Sequence, residues 1–176
     1  MRNNLLVNNL GQSGIVVWGG GYGSQWASMG NRVYQNTVVF QSGNGRYCLN
    51  FSNGSTGNRV RNIVFRGGAR GTITFTSDSL AGFDEDEHLC SSAGGWPLFV
   101  DANTDASYTL AQWQSLTGGA AHDQAASPIF TNSAGGDFTL TAASPGLDQG
   151  EATGVPGTYD GSPRPIGVTD IGCFER

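Results

Sequence analysis

The sequence contains no lysine, and all nine of its basic residues are arginine. Charged residues make up only 13 % of the chain, and the acidic excess gives a formal net charge of -5. That balance speaks against a nucleic-acid partner, since phosphate binding needs a basic face. No apolar run approaches the roughly 20 residues that span a bilayer, so no membrane insertion is expected. The opening Met1-Arg2-Asn3-Asn4 has no apolar signal-peptide core, so export is not visible in the chain itself. Cysteine is scarce: Cys48, Cys90 and Cys173 fit no metal-binding spacing and cannot all pair with one another. Cys48, in the strand-like Tyr47-Cys48-Leu49, reads as a small buried hydrophobe. Cys90 and Cys173 are free to form a disulfide if the C-terminal tail folds back. The two histidines, His88 and His122, accompany no nucleophile motif, and His122 reads as a structural hydrogen-bonding residue.

What the chain does have is glycine, 28 of its 176 residues, with many Asn, Ser and Thr. Such a composition suits short strands joined by tight bends, and the length predicts one domain with a real core. Asn31-Arg32-Val33-Tyr34-Gln35-Asn36-Thr37-Val38 is echoed by Asn58-Arg59-Val60-Arg61-Asn62-Ile63-Val64 and, more faintly, by Asn4-Leu5-Leu6-Val7-Asn8-Asn9. The steps Asn4 to Asn31 and Asn31 to Asn58 are each 27 residues. A period of that length with β-rich runs and no helical pattern predicts a stacked β-solenoid. In each repeat a second β run follows a glycine: Gly14 to Trp18, Gly45 to Phe51 and Gly71 to Phe75. Asparagine tolerates the left-handed backbone of a sharp bend, and stacked amides hydrogen-bond along the pile. Asn9, Asn36 and Asn62 are therefore expected to form one ladder, and Asn4, Asn31 and Asn58 a second. Val33, Val38, Val60, Ile63 and Phe65 are the expected core.

After Thr76 the repeat fades. Asp84-Glu85-Asp86-Glu87 is a short acidic run. Thr109 predicts an N-cap for a short helix through Leu116, with Leu110, Trp113 and Leu116 on one face and Gly118 as its stop. Asp137-Phe138-Thr139-Leu140 is the clearest later strand. Two segments follow: 1–80, repeat coils, and 81–176, a final coil with a capping region.

Several motifs in the second segment carry a resemblance: Leu110-Ala111-Gln112-Trp113-Gln114, Gly118 to His122, Pro128-Ile129-Phe130, Asp137 to Leu140, Ser144 to Gly150, Asp160-Gly161-Ser162-Pro163-Arg164-Pro165 and Asp170 to Glu175. Together with the coils they make the chain resemble right-handed parallel β-helix repeat proteins, the architecture of many polysaccharide lyases and of bacterial extracellular β-helix proteins. The resemblance implies an all-β fold: a right-handed parallel β-helix of about three coils, capped by short strands, turns and one short helix. It implies an extracellular or cell-surface location and a polysaccharide partner. Where the family usually shows Gly-x-Asp-x-His-Ser, this chain has Gly118-Gly119-Ala120-Ala121-His122-Asp123, so the acidic position has become Ala120. Such tails accompany many activities, so the resemblance fixes architecture better than chemistry.

In lyases of that architecture, calcium and cations acidify a C–H beside a sugar carboxylate, and an Arg or Lys removes the proton. By that resemblance Arg59 and Arg61 are candidate bases, and Asp84 and Asp86 have the spacing to share calcium. The competing reading of the acidic run is a solvated turn. No other cofactor is evident. Trp18, Tyr22 and Trp26 flank a Gly-rich stretch and are candidate glycan platforms, because sugar C–H faces stack on aromatic rings. The competing reading makes Trp18 core and Trp26 loop packing. The first coil leaves Leu5, Leu6 and Val7 without a covering coil, which predicts self-association there and, as the alternative function, a structural or adhesive module.

Overall fold

The computed structural model describes residues 1–9, 11–19, 24–41, 45–164 and 167–176. Two layers of mainly parallel strands face each other across an apolar interior. In chain order, β1 (Leu5–Val7) and β2 (Ile15–Trp18) are followed by β3 (Arg32–Tyr34), β4 (Thr37–Val39), β5 (Leu49–Ser52) and β6 (Arg59–Arg66). Then come β7 (Ile73–Phe75), β8 (Asp84–Ser91), β9 (Phe99–Asp101), β10 (Ser107–Tyr108), α1 (Leu110–Thr117), β11 (Phe130–Asn132) and β12 (Asp137–Leu140). Sheet 1 runs β1-β4-β6-β3, with β8 also pairing β6. Sheet 2 runs β10-β9-β7-β5-β2, and β11 with β12 forms a hairpin.

The expected all-β right-handed parallel β-helix is overturned. The protein is mixed α/β, 10 % helical and 32 % strand, in several parallel and mixed sheets, and no solenoid or closed sheet forms among the described residues. The asparagine echo reports parallel strand pairing, which is real, but not a uniform coil. In sheet 1 the partners step by 32, 27 and 25 residues, Leu5 to Thr37 to Val64 to Leu89. In sheet 2 they step by 34, 24 and 26, Ile15 to Leu49 to Ile73 to Phe99. The antiparallel strand β10 makes sheet 2 mixed. Parallel pairing also continues past Thr76, and the acidic run is part of strand β8 rather than a turn.

The core follows from strand alternation, which sends every second side chain inward. Ile15, Leu49, Ile73 and Phe99 stack in register, as do Val17, Phe51 and Phe75, and all are buried. The expected core residues Val33, Val38, Val60, Ile63 and Phe65 are buried with them. One apolar cluster includes Ile15, Cys90, Phe99 and Trp113, so it crosses the boundary drawn at residue 80. Helix α1 starts with a reciprocal capping box between Thr109 and Gln112 and ends at Gly118, whose φ of 69° supplies the left-handed stop. Its Trp113 is fully buried, stacked on Phe99 at 4.8 Å. Leu116, expected on the same face, is exposed instead.

The asparagines pair partly as expected, Asn31 with Asn58, and partly not, since Asn36 pairs with Asn4 rather than with Asn9 or Asn62. Asn36 Oδ1 accepts from both the backbone and the amide of Asn4, and Asn58 Oδ1 does the same for Asn31, each at 2.9–3.0 Å. Asn9 is exposed and belongs to neither pair. Sharp bends fall at Asn62, as expected, and one position before Asn4 and Asn36 at Asn3 and Gln35, with Glu87 the equivalent in β8; all four have φ between 53° and 57°. Each follows a residue of one register row, Arg2, Tyr34, Arg61 and Asp86, so the four strands crease along one line. No disulfide forms among the described residues: Cys48, Cys90 and Cys173 are free, buried thiols, and the Cys173 N–H is used by Thr37 Oγ1 at 3.1 Å. None of the helices is long and apolar enough to cross a membrane among the described residues.

Candidate functional site

Polar and charged side chains gather in two places, one on each sheet. On sheet 1 the register row Arg59–Asp84 and Arg61–Asp86 sets basic strand β6 beside acidic strand β8. Arg61 lies under this surface, its side chain only 8 % exposed, and its guanidinium meets Asp84, Glu151 at 2.9 Å and Glu87 at 3.6 Å. Arg59 is half-exposed and bonds the other oxygen of Asp84 at 3.0 Å and Glu151 at 3.3 Å. Glu151 is brought there by Asn62, whose amide accepts its N–H and donates to its carbonyl. Burial opposes the charge on Arg61, but the bond to Asp84 and the fields of Asp84, Glu151 and Glu87 outweigh it and hold the pKa above its ordinary value. A group so held keeps its proton and pairs with these carboxylates as a cation.

The two carboxylates read from sequence as a shared calcium site are separated by this network. Both oxygens of Asp84 are taken by Arg59 and Arg61. Asp86 instead faces His122, accepting its backbone N–H at 2.7 Å on Oδ1 and meeting ring Nδ1 at 2.9 Å with Oδ2. Burial works against the Asp86 carboxylate, yet these bonds and the Glu87 N–H depress its pKa. The adjacent Glu87 goes the other way: burial foremost, then the Asp86 and Glu151 charges, push it up to about 7. The bond to Asp86 raises the pKa of His122.

Beneath them, Glu85, His88 and Asp123 form a buried trio. Trp113 Nε1 donates to Glu85 Oε1 at 2.7 Å, the His88 N–H donates to Asp123 Oδ1 at 2.7 Å, and His88 Nδ1 accepts the Ile63 N–H at 3.2 Å. Burial pushes the His88 imidazole down to about 3, with Arg61 adding to it, so the ring is neutral. Burial first, and then the Asp123 charge, raises the Glu85 carboxyl, while burial first, with the charges of Asp86 and Glu87 adding to it, raises Asp123. Sequence reasoning missed Glu85, Glu87, Asp123 and Glu151. The available signal was charge complementarity: aligning Asp84-Glu85-Asp86 25 residues after Arg59-Val60-Arg61 sets acid against base.

On sheet 2, the side chains pointing away from the core form an open groove of about 560 Å³. Asn50, Ser52, Thr74 and Thr76 contribute from β5 and the β7 region, with Trp18, Arg46 and Arg70 also lining it. Trp18 is 53 % exposed, so it is not core. Ser52 Oγ donates to Asn50 Oδ1 at 3.0 Å, and the Arg46 guanidinium lies 5.8 Å from the Tyr47 ring centre. Neither Arg46 nor Arg70 forms an ion pair among the described residues. Trp26, in a short 3-10 turn, is exposed but does not line the groove, and Tyr22 lies outside the described residues. Leu5, Leu6 and Val7 form β1, half-buried, at one end of sheet 1.

No family model matches this sequence, no curated protein matches it, and no solved structure matches it. The β-helix resemblance therefore rests on its sequence motifs alone, and the site has to be read from its own chemistry.

Proposed function

We propose that the chain is a polysaccharide-binding module whose ligand lies in the groove on sheet 2. The observation that carries it is the half-exposed Trp18 indole on a groove lined by hydroxyls, the amides of Gln12, Asn50, Asn53 and Asn103, one carboxylate, Asp105, and two arginines without ion-pair partners. Sugar rings offer C–H faces to an indole and hydroxyls to amides and hydroxyls, and free guanidiniums favour a glycan carrying carboxylate or sulfate groups. Arg59 and Arg61, the candidate bases, lie on sheet 1 against carboxylates, away from this groove. The compartment that goes with this function is the cell surface or the extracellular space. Affinity electrophoresis against neutral and acidic polysaccharides tests it. Retention by an acidic polymer is expected, weakened about tenfold by Trp18→Ala and abolished for acidic polymers by Arg46→Gln with Arg70→Gln. Absence of retention on every polymer, with or without calcium, would reject it.

A second reading has one observation in its favour. β1 and β2 each end a sheet, so among the described residues their outer edges pair with no strand. Unpaired edges are templates for another strand, and a second copy of the chain would supply one. Light scattering over a concentration series tests this: assembly lost in Leu6→Lys supports it, and a monomer at every concentration removes it.

A further inference from the structure

We propose that Asp86, Glu87 and His122 bind one divalent transition-metal ion of the zinc class at the crease of sheet 1. Three donor atoms converge there from two separate segments. Asp86 Oδ2 lies 2.9 Å and Glu87 Oε1 3.4 Å from His122 Nδ1, and the three ligand atoms lie within 4.8 Å of one another. An ion bonded at about 2.0–2.2 Å holds tetrahedral ligand atoms about 3.4 Å apart, so only small side-chain adjustments are needed.

Each ligand is prepared for the role. The Glu87 and His122 backbone N–H groups both donate to Asp86 Oδ1, which fixes the carboxylate and leaves Oδ2 facing the imidazole. Glu87 is only 8 % exposed, and its Oε2 is buried without a hydrogen-bond donor. Its nearest cation, Arg61 Nε at 3.6 Å, is closer to Glu151. A carboxylate buried to this degree without a donor is costly unless a cation completes its surroundings. The His122 side chain is 71 % exposed, which leaves water-accessible positions on the ion. With Nδ1 on the ion, the remaining ring proton sits on Nε2 in solvent. Asp84, Glu87 and Glu151 surround the guanidiniums of Arg59 and Arg61 while Asp86 faces His122, so four carboxyl groups stand against two guanidiniums around the site.

The imidazole selects the metal class. Calcium takes six to eight oxygens, whereas a nitrogen with two carboxylates suits zinc or manganese. The buried trio below is a poorer host, because His88 Nδ1 accepts the Ile63 N–H and the neutral ring must keep its proton on Nε2, the atom 3.4 Å from Glu85. No ligand is shared with the groove on sheet 2, so the result does not depend on glycan binding.

The test is calorimetric titration of the chelator-treated full chain with zinc chloride, manganese chloride and calcium chloride at neutral pH. One equivalent of zinc is expected, with affinity at least tenfold lower in His122→Ala and in Glu87→Gln and calcium binding far weaker. His122 is exposed, so His122→Ala should fold normally, and its circular dichroism spectrum checks that. The assignment is overturned if zinc does not bind below millimolar concentration, if His122→Ala binds zinc like the parent chain, if His88→Ala alone abolishes binding, or if calcium binds as tightly as zinc.

Discussion

Trp113 and Glu85 join the helix to the sheet through one hydrogen bond, indole Nε1 to carboxyl Oε1 at 2.7 Å, with both side chains withdrawn from solvent. The bond gives the largest aromatic in the core a polar anchor, and Glu85 presents β8 to α1 through it. Removing the donor while keeping an apolar ring, Trp113→Phe, should cost about 1–3 kcal/mol for the acceptor left unpaired. Trp113→Ala should cost about 3–5 kcal/mol, because the ring also fills the space against Phe99 and Phe75. Urea denaturation measures both, and a cost near zero for Trp113→Phe would show that the bond contributes nothing.

Stability should fall as pH rises through the neutral range in metal-free protein. Burial foremost, then the Glu85–Asp123 repulsion, lifts the Glu85 carboxyl, and burial takes Asp123 from 3.8 to about 7. The groups facing the pair are the neutral His88, Asp86 and Glu87 on β8 and the Trp113 indole on α1. A carboxyl whose pKa is raised in the folded state binds its proton more tightly there than in the unfolded chain. Its stabilisation is therefore complete below about pH 4 and lost as pH climbs to about 7. Melting in the presence of EDTA should show a lower Tm at pH 7.5 than at pH 5, each kcal/mol amounting to roughly 2–4 °C in a chain of this size. Asp123→Asn should flatten the slope. Asp137 and Asp160, held below the usual range first by Thr139 and Thr158 respectively, act with the opposite sign but only below about pH 4.

The two neighbouring arginines should differ sharply. Arg61→Gln leaves Asp84, Glu87 and Glu151 short of a buried partner and should cost about 3–5 kcal/mol. Arg59 makes two of the same contacts from a half-exposed position, and Arg59→Gln should cost no more than about 1 kcal/mol. Similar losses for both, by urea denaturation, would mean that burial does not distinguish them.

All three thiols should be silent in the native state. Burial pushes Cys173 up to about 11 and lifts Cys48 and Cys90 as well, so none offers a thiolate at neutral pH. A thiol reagent should label none in the folded chain and three after denaturation, and reductant should leave Tm unchanged. One label after denaturation without reductant, rising to three once reductant is added, would point to a disulfide between two of them.

Much of the secondary structure was legible in the sequence, and for physical reasons that can be named. Thr109 and Gly118 bounded α1 because capping is local chemistry, carried by residues three and four positions from their partners. Asp137 to Leu140 alternated as a strand and is one. The echo of Asn31 in Asn58 was a true pairing, since the two amides touch. The global form was misread because a repeat states which strands pair, while the way the layers close depends on connections of unequal length. The charged cluster on sheet 1 escaped because Glu151 and Asn62, 89 residues apart, meet only in the folded chain. Trp18 stayed ambiguous for a simpler reason: alternation in Ile15–Trp18 marks two faces without saying which one is wet.

The asparagine pairs also decide where this chain can change length. Asn31 donates to Asn58 and Asn36 accepts from Asn4, so the few residues between Asn31 and Asn36 are clasped at both ends, each by two hydrogen bonds. Adding or deleting one residue there would break a clasp and turn every following side chain from the oily face to the watery one. The connections outside the clasp already differ in length from one layer to the next. A tag or reporter peptide is thereby expected to be accommodated in the connecting loops and not in the clasped span.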